Sequence, residues 1–337
     1  MEGYRLGLYE KAMPDELSLE EKLLLAKKIG FDYVEISIDE TEEKISRLDF
    51  DKKRKNELHQ FMTEQGIFFE TMCLSAHRKY PLGSADRKVR KKSLDIMRKA
   101  IVFARDLGIR VIQLAGYDVY YEKGTRQTRK NFHMALRQCV EYASEFGIIL
   151  AFETMETEFM NTIGKARQVV NKVNSPYLQV YPDIGNIYNA TDDYLGDIKK
   201  GNGHIVAAHL KETVEDVFRD MEYGQGRVDF KTCIFQFRSQ GVARFTCEFW
   251  YDKKTDPEEY ITRNYRYIRG CFQRWEKSIF WELIMGGHTV KQLCLIFMET
   301  RWRKDRFRYR FTPRKKDIPR GNWKRFGMQT FKLSESL

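Results

Sequence analysis

The chain has 337 residues, 42% hydrophobic and 32% charged, with a formal net charge of +11. That size and composition exclude a small disulfide-stapled fold and a chain disordered throughout, and leave room for one large domain or two ordinary ones. The charge is uneven: residues 271–337 hold 16 Lys+Arg against 6 Asp+Glu, while residues 1–270 hold 43 against 42, so the basic excess belongs to the last part of the chain.

Eight β-branched and aromatic runs recur down the first 250 residues, at Arg5–Tyr9, Tyr33–Ile38, Phe68–Ser75, Val111–Gly116, Ile148–Thr154, Leu178–Pro182, Ile205–Leu210 and Arg244–Trp250. Each reads as a buried strand. Charged segments with helical periodicity lie between them. The first, Ser18–Gly30, begins with a Ser18/Glu21 capping box and stops at glycine, and the same stop recurs at Gly66, Gly108, Gly147 and Gly241. A β-then-α repeat of about thirty residues with right-handed crossovers follows. Eight such units fit a closed (β/α)8 barrel, an α/β fold of the TIM type, better than an open doubly wound sheet. No G-x-G-x-x-G follows the first strand, so the dinucleotide-binding signature is absent.

In such a barrel, chemistry gathers at the C-terminal strand ends. The last four strands end on Glu153, Asp183, His209 and Glu248. A lone strand-end carboxylate usually caps a helix, and a lone histidine among apolar residues is usually a core residue. Four in succession point to one shared site. Three converging carboxylates repel one another unless a cation or proton intervenes, and oxygen donors with one nitrogen suit one divalent ion such as Mn, Mg, Co or Zn.

Other signals concern surroundings. No window approaches eighteen uncharged apolar residues, and Met1–Glu10 carries acidic groups where a signal peptide has a basic region, so a cytoplasmic location with no membrane partner is expected. The six cysteines form no C-x-x-C pair and read as buried free thiols. Residues 271–337 hold four of the five tryptophans and the run Arg301–Arg310, with no clear period. Three readings stand for this atypical basic extension: an arm that touches a polyanion, a packing extension, or a frame-shifted or fused tail, the last favoured by its lack of element logic.

Several segments carry a resemblance. Tyr9-Glu-Lys-Ala, Phe31-Asp-Tyr-Val-Glu35, Met72-Cys-Leu-Ser-Ala-His-Arg78, Ile112–Tyr121, Tyr181-Pro-Asp-Ile-Gly-Asn186 and Gly224-Gln-Gly-Arg-Val-Asp-Phe230 resemble the L-ribulose-5-phosphate 3-epimerases, also called L-xylulose-5-phosphate 3-epimerases, over about residues 4–265. The resemblance implies a xylose-isomerase-like barrel over 1–270 and a role in pentulose and L-ascorbate breakdown. It also implies metal ligands at Glu153, Asp183, His209 and Glu248, and a small ketose phosphate as partner. Glu153 and Glu248 would exchange the C3 proton on opposite faces.

The remaining mouth residues have two readings each. His77 and Arg78 are candidates for substrate hydroxyls or phosphate, or are loop residues. Glu35 would fix a sugar hydroxyl or bond a neighbouring loop. Lys211 and Arg219 are candidate phosphate cations. Gly224 and Gly226 either bring amides to an anion or form a plain turn. A related ketose or hexulose-phosphate isomerase or epimerase is the alternative activity. An apurinic endonuclease fits less well, because such enzymes carry a histidine three residues after the strand-six aspartate where this chain has Asn186. Nucleic acid is therefore not expected as a partner, and a homo-oligomer is left open.

Overall fold

A computed structural model describes residues 3–285 of the chain, with side chains described through residue 273. Eight strands form, β1 (Arg5–Tyr9), β2 (Tyr33–Ile38), β3 (Phe68–Leu74), β4 (Val111–Ala115), β5 (Ile149–Glu153), β6 (Leu178–Val180), β7 (Ala208–Leu210) and β8 (Arg244–Cys247). Each is followed by helix, so the expected (β/α)8 TIM barrel is the architecture. The first two strands have the expected bounds, whereas β3 to β8 are shorter than expected. The β6 strand stops early because Pro182 has no N–H to give a ladder.

Every ladder is parallel, and β1 pairs with both β2 and β8, which curls the sheet on itself. Between β6 and β7 there is no continuous ladder. That seam is held by two isolated bridges, Val180 with Ile205 and Asp183 with His209, including a His209 N–H bond to the Pro182 carbonyl at 2.9 Å.

The outward faces of the strands and the inward faces of the helices make the main core. Leu6, Leu8, Val34, Ile36, Ile38, Met72, Leu150 and Phe152 are all buried there. The helices form for the local reasons read from sequence: Ser18 and Glu21 complete the capping box of helix Leu19–Ile29, and Gly30 ends it in the left-handed region at φ 113°. The barrel interior differs. Its apolar cluster is only Val111, Ala151, Tyr181 and Ala207 with Val206 against it. Glu35, Thr71, Gln113, His209 and Thr246 occupy the rest, all buried. At the lower end the Tyr33 ring lies over Gly7, where a Cβ would come within 2.2 Å of the ring, so a side chain there has no room.

The closing helix, Pro257–Met285, begins before residue 270 and continues beyond it. Phe272 is fully buried, stacked on Tyr4 with centroids 4.0 Å apart and edge-on to Phe245. The compact unit that holds the barrel extends to Ser278. The basic run Arg301–Arg310 lies outside the described residues. Among the described residues no helix is long and apolar enough to cross a membrane, and Cys73, Cys139, Cys233 and Cys247 are buried free thiols.

One charged cluster braces the start of the chain. Glu10, just beyond β1, accepts from Lys22 Nζ at 2.9 Å, Lys44 Nζ at 3.1 Å, Arg47 Nη1 at 2.8 Å and the Ser37 amide at 2.8 Å. Burial alone would raise its pKa, but the charges of Lys44, Arg47 and Lys22 hold it at about 2. Because the folded pKa is depressed, this stabilisation is full above the unfolded value of 4.5 and is lost as pH falls toward 2. Glu10→Gln leaves three cations without their carboxylate and is expected to cost about 3–5 kcal/mol in urea unfolding at pH 7. The penalty should shrink between pH 4.5 and 2; a penalty independent of pH in that window would contradict the assignment.

Candidate metal centre and barrel mouth

The four strand-end residues converge. Glu153, Asp183, His209 and Glu248 each present one donor atom, all within 4.8 Å of one another, and all four side chains are buried. Glu153 is the last residue of β5, His209 lies within β7, and Glu248 follows β8 directly. Asp183 is the N-cap of helix Ile184–Ala190, where its Oδ1 accepts the Asn186 amide at 2.7 Å. Its Oδ2 is buried with no hydrogen-bond partner. One oxygen thus holds the helix while the other faces the cluster, so the capping reading and the ligand reading both apply to this residue.

The imidazole stands in the middle. His209 Nδ1 faces Glu248 Oε2 at 2.8 Å, Glu153 Oε1 at 3.7 Å and Asp183 Oδ2 at 4.0 Å. Its other nitrogen, Nε2, faces Glu35 Oε1 at 2.6 Å. Lys211 Nζ adds a cation, 3.3 Å from Asp183 Oδ2 and 3.7 Å from Glu248 Oε2.

The electrostatics follow from burial and these neighbours. Burial raises the pKa of Asp183 well above the usual carboxylate range against the pull of Lys211. Burial also raises Glu153, an effect that its contact with His209 only partly offsets. At Glu248 the balance reverses: burial pushes up, but Lys211 and His209 outweigh it and hold the carboxyl well down. Burial would depress His209, yet Glu35 and Glu248 raise it well above its ordinary value. Positive charge is what this cluster lacks.

A cleft opens above the cluster. Tyr9, Cys73, Met155, Phe218 and Trp250 wall it, and Lys11, Arg78, Lys211 and Arg219 bring cations. Arg78 lies over the Tyr120 ring at 4.7 Å, has no ion-pair or hydrogen-bond partner among the described residues, and its Nε is buried without a partner. Exposed Arg219 lies over Trp250 at 5.8 Å, and the charges of both arginines reach the Tyr120 hydroxyl, which itself donates to Glu156 at 2.7 Å.

Four sequence expectations need correction. His77 is not at the mouth: it is buried, with its ring N–H toward the Ser93 carbonyl at 3.2 Å, and burial lowers its pKa to about 4. Its turn, Ser75–Arg78, is a 3-10 helix of about three residues per turn, so neighbours 77 and 78 point different ways. Glu35 is fully buried beneath His209 and does not line the cleft. Lys211 is engaged by the metal-site carboxylates instead of standing clear for phosphate. At Gly224–Gly226 the loop does meet an anion, but an internal one: buried Glu212 accepts the Gly224, Thr213 and Val228 amides at 2.8, 3.1 and 3.1 Å.

Tyr9 and Trp250 are aromatic and carry no ligand signal in the sequence, although Tyr9 closes β1 and so falls under the same strand-end rule. Asn186 turns its amide to the Thr154 carbonyl at 2.7 Å, so the position where an endonuclease would carry a histidine serves the backbone here.

Comparison with known proteins agrees with this geometry. Residues 23–271 match the xylose isomerase-like TIM barrel family. The chain is 45% identical over 259 residues to the L-ribulose-5-phosphate 3-epimerase UlaE of Escherichia coli strain SMS-3-5 / SECEC, covering 77% of this chain and 91% of that protein. The same protein of Shigella boydii serotype 18 matches equally, at 45% over 259 residues. Among solved structures, an L-ribulose 3-epimerase superposes with a TM-score of 0.71 at 19% identity over 85% of this chain and 99% of its own. The IOLI protein, solved with a zinc atom, gives 0.69 at 18% identity over 80% of this chain and 99% of its own. The matched barrel, the shared length and the identity level show that this chain belongs to the L-ribulose-5-phosphate 3-epimerase family, within the xylose isomerase-like TIM barrels.

Proposed function

We propose that the chain is a divalent-metal-dependent 3-epimerase that interconverts L-ribulose 5-phosphate and L-xylulose 5-phosphate. The observation that carries this reading is the convergence of Glu153, Asp183, His209 and Glu248 within 4.8 Å in a chain of this family. The donor set fits a cation: three carboxylates and one imidazole, with Asp183 Oδ2 buried, without a hydrogen bond and 3.3 Å from the Lys211 ammonium. Mn, Mg, Co and Zn all suit three oxygens and a nitrogen.

A divalent cation, when bound, withdraws electron density from the C2 ketone and C3 hydroxyl oxygens and supports the negative charge of an enediolate. The rest is the work of the chain. Glu153 and Glu248 come from the two outer members of the four consecutive strands, which suits them to opposite faces of a ketose held between them. One removes the C3 proton and the other delivers a proton to the far face, inverting C3. Tyr9, Phe218 and Trp250 give the cleft apolar walls that keep water from the enediolate. The phosphate end is served by Arg78 and Arg219, which lie on the Tyr120 side of the cleft without carboxylate partners among the described residues, whereas Lys211 is held by Asp183 and Glu248.

Three outcomes are expected. Chelator-treated protein should lack epimerisation and regain it with a divalent metal, whose binding also raises Tm; Asp183→Asn should abolish that rise. Failure of all four metals to shift Tm would rule the centre out. Glu153→Gln and Glu248→Gln should each lower kcat by about 10²–10⁴-fold with unchanged circular dichroism. In deuterated water each variant should still exchange the C3 proton of one epimer only, and exchange of both epimers in either variant would contradict two separate bases. Arg78→Gln should raise KM for the ketose phosphate about 10–100-fold, the loss of one charge-assisted contact, while leaving turnover of the unphosphorylated ketose unchanged. Equal effects on both would remove Arg78 from the phosphate site.

A further inference from the structure

We infer that Glu35 is a positioning residue for the metal centre: by accepting a hydrogen bond from His209 Nε2–H, it keeps the proton on that nitrogen and aims the Nδ1 lone pair at the cation. This inference rests on the metal-dependent reading above and goes beyond it, since Glu35 belongs neither to the ligand set nor to the cleft wall.

The geometry is specific. His209 has two nitrogens with different surroundings. Nδ1 faces Glu153, Asp183 and Glu248, while Nε2 faces Glu35 Oε1 at 2.6 Å, and the Gln113 amide nitrogen lies beside the ring, 3.1 Å from Nδ1 and 3.2 Å from Nε2. Only one nitrogen of a neutral imidazole carries a proton, so an acceptor fixed at Nε2 leaves Nδ1 free to donate its electron pair. A carboxylate in that place also makes the imidazole a stronger donor and stops rotation of its ring.

Glu35 is itself held. Its Oε2 accepts the Thr71 hydroxyl at 2.7 Å and the Tyr181 hydroxyl at 2.9 Å. The Tyr181 hydroxyl also meets Thr246 Oγ1 at 2.5 Å, and Tyr33 OH meets the same Thr246 oxygen at 2.9 Å. This network ties together β2, β3, β8 and the residue just beyond β6 under the imidazole. A register shift between β2 and β3 contributes: Val34 faces Phe69, but Glu35 faces Thr71, so one residue of β3 is skipped and Thr71 comes level with Glu35. Every polar group in the network is buried, so water does not compete for the carboxylate. A substrate hydroxyl has no path to it.

The test uses metal-free full-length chain and its Glu35→Gln and Glu35→Ala variants, titrated with zinc against a chromophoric chelator, with circular dichroism as the check on folding. Zinc affinity should fall about 10–100-fold in Glu35→Gln, which keeps an acceptor but loses the charge, and further in Glu35→Ala. A second readout needs no variant: in zinc-loaded wild-type protein, nitrogen-15 NMR should show the His209 proton on Nε2, downfield and protected from exchange, and Nδ1 without one. Folded variants that bind zinc as tightly as wild type, or a proton found on Nδ1, overturn the positioning role while leaving the metal centre intact. A wild-type chain that binds no zinc, manganese, magnesium or cobalt overturns both readings together.

Discussion

Three carboxylates buried around one point repel one another, and that repulsion sets the terms for the rest of the molecule. In a medium less polarisable than water such charges interact strongly, so positive charge must be supplied from several sources at once. The chain supplies it through the His209 imidazole, the Lys211 ammonium and a donor set suited to a divalent ion. A barrel interior normally filled with branched apolar side chains is here largely given over to hydrogen-bonding groups, with Val111, Ala151, Tyr181 and Ala207 as what remains of an apolar layer. Stability consequently rests on the outer core between strands and helices, where most of the buried aliphatic residues lie.

The convergence of the four cluster residues was legible because position in this fold encodes direction. Residues at the C-terminal end of a parallel strand face the mouth, so the order Glu153, Asp183, His209, Glu248 could be read from strand ends alone. What failed was direction where the strand rule no longer holds. His77 sits in a 3-10 turn, where successive residues diverge, and its burial against Ser93 depends on a helix that begins ten residues later. Glu35 alternates inward correctly, but whether it reaches the mouth or stays beneath His209 depends on depth along the barrel and on the register shift opposite it. Neither quantity is written in a single strand.

Charge was legible as an amount and not as a pairing. The chain before residue 271 is balanced overall, yet the structure separates its signs locally. Lys211 is taken by Asp183 and Glu248, and Lys11 pairs with Asp39 at 2.7 Å, while Arg78 lies against aromatic rings and not against carboxylates. A cation beside a ring keeps its charge available for an incoming anion, whereas a salt bridge spends it internally. The Gly224–Gly226 loop shows the same distinction from the other side: its amides suit an anion, and the chain's own Glu212 already occupies them. Exclusion of close side-chain approach is visible there as well, since a Cβ on Gly226 would stand 2.4 Å from Glu212 Oε1.

The seam between β6 and β7 gives the candidate metal site a mechanical meaning. Seven strand pairs share ladders, but this one is joined by two isolated bridges, and the second of them links Asp183 to His209. Two members of the candidate metal cluster therefore stand on opposite lips of the line where the barrel lacks a continuous ladder. An ion held by those side chains would act as a rivet across that line, much as a cross-link does, and would limit the local opening that exposes amides to solvent. A chain emptied of such an ion would then open first at the cluster itself.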